Sequence, residues 1–376
     1  MTTLWVGGYT PGMSGTAVGI GQLDIQPDGS LVNYRTAAII ESPSYLVLDA
    51  AGHNTPASES GVAGAVPAGA SAAGPAAVLA TVPAAVLYAA DEESGAISAF
   101  RVVDGELEPI GEPAATADAY PCAFAVIHRE HASAIVAASY GGGISVLPVL
   151  DDGSVLPFSQ SLLASGRGPH EAQDGPHSHA VLELEDGTVL TTDLGTDRVY
   201  IHDVWVKDDD VVALIRTGEV VLPPGTGPRD LLLHPSGVVW VLGEHGLAID
   251  ILVRDASGFT LATAAPLPGA VEGDQAAALA MSSDGRYAYA GVRGSNLVSV
   301  LAVHNDGARL EPVDFVDCGG VWPRHLTVVA GSAGDMMYVA NQESGSVARF
   351  GIDGSGIPKF IESLDVPTPT FLLVAG

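Results

Sequence analysis

GPRDLLLHPSGVVWVLGEHGLAIDIL, residues 227–252, decides the fold. A Gly-Pro pair opens an apolar strand, HPSG makes a turn, and VVWVLG runs back as a second strand. A polar knuckle, GEHG, then leads into a third strand, LAIDIL. The same grammar recurs in GPHSHAVLELEDGTVLTTDLGTDRVYIHDV from Gly175, DQAAALAMSSDGRYAYAGVRGSNLVSVLAV from Asp274 and WPRHLTVVAGSAGDMMYVANQESGSVARFGI from Trp322. YPCAFAVIHREHASAIVAASYGGGISVLPV from Tyr120 is another copy.

Taking Pro121, Pro176, Pro228, Gln275, Pro323 and Pro369 as anchors, the intervals are 55, 52, 47, 48 and 46 residues. A unit of three to four short strands repeated at that spacing cannot bury its faces alone and stacks around a channel, which predicts an all-β propeller. An earlier copy runs from SPSYLVLD at Ser42 to VLYAADEESGAISAFRV at Val86. At the C-terminus TPTFLLVA supplies a single strand, and LWVGGYT and GIGQLDI near the N-terminus supply its partners. The two ends are therefore expected to close one blade together, giving seven blades in a single domain over residues 1–376. Residues 50–83, rich in Ala, Gly, Ser and Pro, read as a flexible insertion between strands one and two of the first complete copy.

The chain has 376 residues, with Lys+Arg at 15 against Asp+Glu at 44, for a formal charge of -29. Such a field repels nucleic acid and anionic lipid, so neither is expected as a partner. No apolar run approaches the length that spans a bilayer, and MTTLWVGGYT lacks the basic and apolar regions of a secretory signal, so a cytoplasmic address is expected. Cys122 and Cys318 are too few for a disulfide framework and lack zinc-site spacing. The oligomeric state is left open.

In an antiparallel hairpin the start of the first strand and the end of the second share one side. Counting one residue past each anchor gives Ser44, Cys122, His177, Arg229, Ala276, Arg324 and Thr370. The knuckles after strand two give Tyr9, Glu92, Tyr140, Leu194, Glu244, Arg293 and Gln342. Both rings should surround one mouth of the channel. Three of only 13 arginines fall there, predicting a positive pocket in a negative protein, suited to a small anionic ligand. His177 and Glu244 are candidate proton-transfer groups, and His179 shares the side of His177 by the strand period of two.

The plainer readings have equal standing for single residues. Arg and Glu at equivalent positions can tie blades together. His170, His202, His234 and His325 read as structural, and Asp193 and Asp197 as turn residues that bind their own backbone. Cys122 has no base beside it, Gly141 to Gly143 open no helix, and PHSH has no third ligand nearby, so neither a metal nor a cofactor is expected.

With PHSH, DLGTDRV, GPRDLLLHP and VANQESGSV in this order, the sequence resembles the seven-bladed β-propeller lactonase family, which includes a 6-phosphogluconolactonase and a carboxy-cis,cis-muconate cyclase. The resemblance covers nearly the whole chain outside residues 50–83. It implies a site of His177 or His179, Arg229, Glu244 and Arg293, while the two rings and the strand period add His179, Arg324, Gln342 and Tyr9 as residues expected to contact the substrate. The family often has Asn before that Glu and that Arg, where this chain has Gly243 and Val292. The implied activity is hydrolysis of a small anionic sugar lactone without a metal, with Glu244 or His177 as base and Arg229 and Arg293 on the anion. A muconate-type lactonising cyclase and a non-catalytic propeller that binds a metabolite or a protein are the alternatives.

Overall fold

Each repeat forms an antiparallel sheet in the computed structural model, which describes residues 2–50, 85–207, 210–256, 258–331 and 334–375. There are seven sheets, each with a four-stranded path, and one carries an additional short strand on its third strand. Blade one contains both termini, and blades two to seven follow in chain order.

The innermost strands, from blade one onward, are Pro369–Ala375, Pro43–Asp49, Pro121–Arg129, Ser178–Glu183, Pro228–Leu233, Gln275–Met281 and Pro323–Val329. Each touches the innermost strands on both sides of it, and the last touches the first, so the ring is closed. Closure is made as the sequence predicts: Thr2–Gly8 pairs antiparallel with the C-terminal strand, Leu4 opposite Val374 and Val6 opposite Leu372. Among the described residues there is no α-helix, only a 3-10 turn at Pro11–Met13. Of the Ala/Gly/Ser/Pro-rich stretch at residues 50–83, all but Ala50 lies outside the described residues. Its flanks Asp49 and Val86 are paired at the end of the hairpin opposite the predicted rings.

The core lies between blades. Leu232, Trp240 and Ile251 of blade five pack with Leu279, Ala290 and Leu301 of blade six. The next interface repeats this with Tyr289 and Val300 against Leu326, Val339 and Phe350. Four second-strand aromatics are fully buried while their polar tips reach the next blade. Tyr88 donates to Gly153 O at 3.1 Å, Trp240 to Gly307 O at 2.9 Å, Tyr289 to Gly356 O at 3.0 Å and Tyr338 to Gly29 O at 2.8 Å. Burying a large ring while satisfying its one donor lets these residues act as latches between blades. The outer strands, such as Arg309–Asp317 and Pro358–Asp365, are mostly exposed.

Candidate functional site

A channel of about 1160 Å³ runs down the ring axis. At the predicted mouth every innermost strand carries a β-bulge. Pro43 faces Asp91 and Tyr45 faces Ala90, leaving Ser44 unopposed, and the same shift frees Cys122, Arg229, Arg324 and Thr370. In blade four the shift falls between Ser178 and Val181, freeing His179 and Ala180, and in blade six between Ala276 and Leu279, freeing Ala277 and Ala278. All of these freed residues line the channel. Bulges commonly re-aim side chains beside functional sites, and here a single one is repeated around the ring.

The bulges correct two positions of the predicted ring. In blade four the residue equivalent to Arg229 is His179, not His177. Leu194 N–H donates to His177 O at 2.8 Å as Glu244 N–H donates to Gly227 O at 2.8 Å, so His177 matches Gly227, the residue before the strand. Pro176 stands ahead of the strand start at Ser178, and counting from it falls short. The His177 ring stacks on Tyr140 with centroids 4.3 Å apart. Its Nδ1–H donates to Tyr140 O at 2.7 Å and its Nε2 faces Asp174 Oδ1 at 3.0 Å, so both nitrogens are engaged on the rim. In blade six the channel residue is Ala277, while Ala276 is fully buried.

The remaining predicted residues form two groups. Arg229 Nη1 donates to Glu244 Oε2 at 2.6 Å, and Arg293 Nη2 lies 2.9 Å from the same oxygen. Backbone carbonyls hold both guanidinium groups: Arg229 Nε donates to Ala277 O at 2.9 Å and Arg293 Nη2 to Ala276 O at 3.2 Å. Asp197 sets the approach to Arg229. Its Oδ1 accepts the Gly227 N–H at 2.7 Å and fixes that glycine at φ 59°, a conformation glycine adopts without strain. Asp193 likewise accepts the N–H groups of His177 and Gly195. The bond from Gly195 is the turn role read for Asp193, whereas Asp197 reaches out of its turn to Gly225 and Gly227 ahead of the next blade.

In the second group Tyr9 Oη donates to Glu92 Oε2 at 2.9 Å and accepts from Arg324 Nη2. Arg324 Nη1 donates to Gln342 Oε1 at 3.3 Å. Glu92, a knuckle residue, is the counter-charge that the sequence reading gave no role at the site. Leu194, at the blade-four knuckle, is fully buried and takes no part.

Burial would raise the Glu244 carboxyl, but Arg293 and Arg229 more than offset it and hold the group far below the usual carboxylate range. A carboxylate so stabilised is a poor base. His179 is the reverse: burial, reinforced by Arg229, pushes it well below 6.5, so the imidazole is neutral around neutral pH. Its side chain has no hydrogen-bond partner among the described residues, and it lines the channel from blade four, next to the blade that carries Arg229. Burial raises the Tyr9 phenol, which therefore stays neutral beside Arg324. Burial also pushes the Cys122 thiol up to about 12, where it is unreactive.

The mouth thus holds three guanidinium groups, Arg229, Arg293 and Arg324, against two carboxylates, Glu244 and Glu92. Its buried part combines one more guanidinium than carboxylate, a neutral imidazole and buried hydrogen-bond donors, with the carboxylates of Asp174 and Glu93 at the rim.

A family model for lactonases of the seven-bladed β-propeller type matches residues 56–374. A 6-phosphogluconolactonase of Bacillus subtilis (strain 168) is 28% identical over 223 residues, covering 57% of this chain and 62% of that protein. The chain thus aligns with less than two thirds of this relative's length. A crystal structure of a Lactobacillus plantarum protein superimposes with a TM-score of 0.81 at 24% identity, covering 100% of both chains. The structure of the Pseudomonas aeruginosa periplasmic gluconolactonase gives 0.78 at 23% identity, covering 100% of this chain and 99% of that one. At these identities the two structures show the shared fold.

Proposed function

This chain belongs to the lactonase family of seven-bladed β-propellers, and we propose that it opens a small anionic sugar lactone with water at the channel mouth. The observation that carries the reading is a neutral His179 set among three guanidinium groups, of which Arg324 makes its side-chain hydrogen bonds, among the described residues, to the uncharged Tyr9 and Gln342.

His179 takes a proton from water as the water oxygen attacks the lactone carbonyl carbon. Arg229 and Arg293, aimed by Glu244 and by backbone carbonyls, face the negative charge that develops on the carbonyl oxygen. The ring C–O bond then breaks, the leaving alkoxide takes the proton back from the imidazolium, and the product is an open hydroxy acid. Arg324 holds the carboxylate or phosphate of the substrate through charge-assisted hydrogen bonds. A phosphorylated aldonolactone fits this charge, and the relative from Bacillus supports that choice.

The test is acid release at constant pH from a panel of aldonolactones with and without a phosphate. Hydrolysis yields a product heavier by one water. An isomer of unchanged mass would instead identify a lactonising cyclase, and binding without turnover a non-catalytic propeller.

A further inference from the structure

We propose that Trp322 determines substrate specificity at this site, its indole forming the wall of the channel mouth against which the saturated ring of the lactone lies. The inference rests on the lactonase reading above.

Trp322 immediately precedes the innermost strand of blade seven, and the equivalent residues Ser42, Tyr120, Gly227 and Thr368 precede those of four other blades. All five have positive φ: 48°, 61° and 36° at Ser42, Tyr120 and Thr368, 59° at Gly227 and 68° at Trp322. In these five blades the turn into the strand takes this left-handed backbone, which glycine adopts freely and a bulky side chain only with strain, whereas His177 of blade four does not take it. Blade five has Gly227 there, blade three Tyr120 and blade seven Trp322. Strain of this kind persists where the surroundings enforce it, and it concentrates at functional sites.

The surroundings do enforce it. Trp322 N–H donates to Asn296 Oδ1 at 2.8 Å, and its carbonyl accepts the Gln342 N–H at 3.0 Å. The indole leans over the preceding blade, with the Arg293 guanidinium carbon 5.5 Å from the ring centroid. The residue is only partly buried. In blade four the equivalent His177 leans in the same way over Tyr140. Trp322 therefore stands beside the cation that faces the reacting carbonyl, and Gln342, bonded to its carbonyl, carries Arg324. A flat apolar surface beside Arg293, just ahead of the strand that carries Arg324, suits a ligand with an anionic group at one end and a saturated ring bearing C–H groups at the other.

Two variants separate a wall from a structural support. Asn tolerates the left-handed backbone, so Trp322→Asn keeps the turn and removes the ring. Trp322→Phe keeps an aromatic face. With the lactone that the parent hydrolyses, Trp322→Asn should raise KM about tenfold or more with kcat within about threefold and an unlowered melting temperature. Trp322→Phe should stay within about threefold of the parent in KM. An unchanged KM in Trp322→Asn, an equal rise in both variants, or activity lost in step with melting temperature would overturn the wall.

A second readout does not depend on the variants' turnover. Of the four tryptophans, Trp5 and Trp240 are fully buried and Trp205 is 59% exposed. In a Trp205→Phe background, the lactone should quench emission that disappears when Trp322 is also Phe. Ligand-dependent quenching that survives the second change, or no quenching by a lactone that is turned over, counts against the wall. A parent silent on every lactone removes the hydrolase reading instead, so the two failures are distinguishable.

Discussion

Arg229 and Glu244 are joined at 2.6 Å across a single hairpin, one from the bulge that opens the innermost strand and the other from the knuckle that ends its neighbour. The carboxylate also lies 2.9 Å from Arg293 of the next blade, so one oxygen ties a bulge to two knuckles. All three side chains are at least nine-tenths buried. A buried charge is stable only while its partner is present, so the cluster is organised around Glu244.

Glu244→Gln keeps the shape of the side chain and removes its charge, leaving two buried guanidinium groups without a counter-ion. Stability should fall by roughly 3 to 5 kcal/mol, the usual cost of breaking a buried pair from one side. Adding Arg293→Met should recover part of that loss, since one orphaned cation is removed. Denaturant melts of the three proteins decide it, and a double variant no more stable than Glu244→Gln would show that the pair contributes little.

His179 and Arg324 separate in kinetics. His179→Asn should lower kcat by about 100-fold or more, because positioned proton transfer contributes about that much. His177→Asn should leave kcat nearly unchanged. Arg324→Ala should chiefly raise KM for an anionic lactone, by the roughly 1.5 to 3 kcal/mol of a charge-assisted hydrogen bond. Since the His179 value lies well below 6.5 and protonation removes the base, the acid limb of kcat/KM should fall below that ordinary histidine value. A limb centred at 6.5 or above would point to another base.

The difference between His177 and His179 shows what the sequence could and could not reveal. Proline anchors at a near-constant interval and alternating apolar strands declare the blades, and TPTFLLVA with LWVGGYT declares the closure, because burial against a neighbour requires that pattern. Glu244 and Arg293 were legible because a knuckle follows visibly from its strand. In blades four and six the strand positions equivalent to Pro228 are Ser178 and Ala276, which carry no proline and lie two and one residues past the counted anchors. Counting from the anchors therefore misses the channel position there, although the strand period of two places His179 on the same side as His177. The outer strands, solvated on most of their length, carry mixed residues and give little periodic signal.

Tyr289→Phe tests the latches between blades. The hydroxyl donates to Gly356 O at 3.0 Å from a fully buried ring, and removal leaves that carbonyl without this donor. The expected cost is about 1 kcal/mol, read from the denaturant midpoint, with lactone turnover unaffected because the hydroxyl lies far from the mouth in the blade interface. No shift in the midpoint would mean that water replaces the hydroxyl there.

Asp91, next to Glu92, makes stability depend on pH. It is 3% exposed, its Oδ1 has no hydrogen-bond partner among the described residues, and Ser98 donates to Oδ2 at 2.6 Å. Burial pushes the carboxyl up to about 7 from 3.8, with the Ser98 bond opposing. A value raised in the folded state means that the protonated form fits the fold better. Its contribution is complete below the unfolded value near 3.8 and is lost as pH rises through about 7. Asp91→Asn mimics the protonated carboxyl at every pH, so the variant should gain on the parent by roughly 2 to 3 kcal/mol between pH 5 and pH 8. Parallel stability curves over that interval would place the Asp91 value outside it.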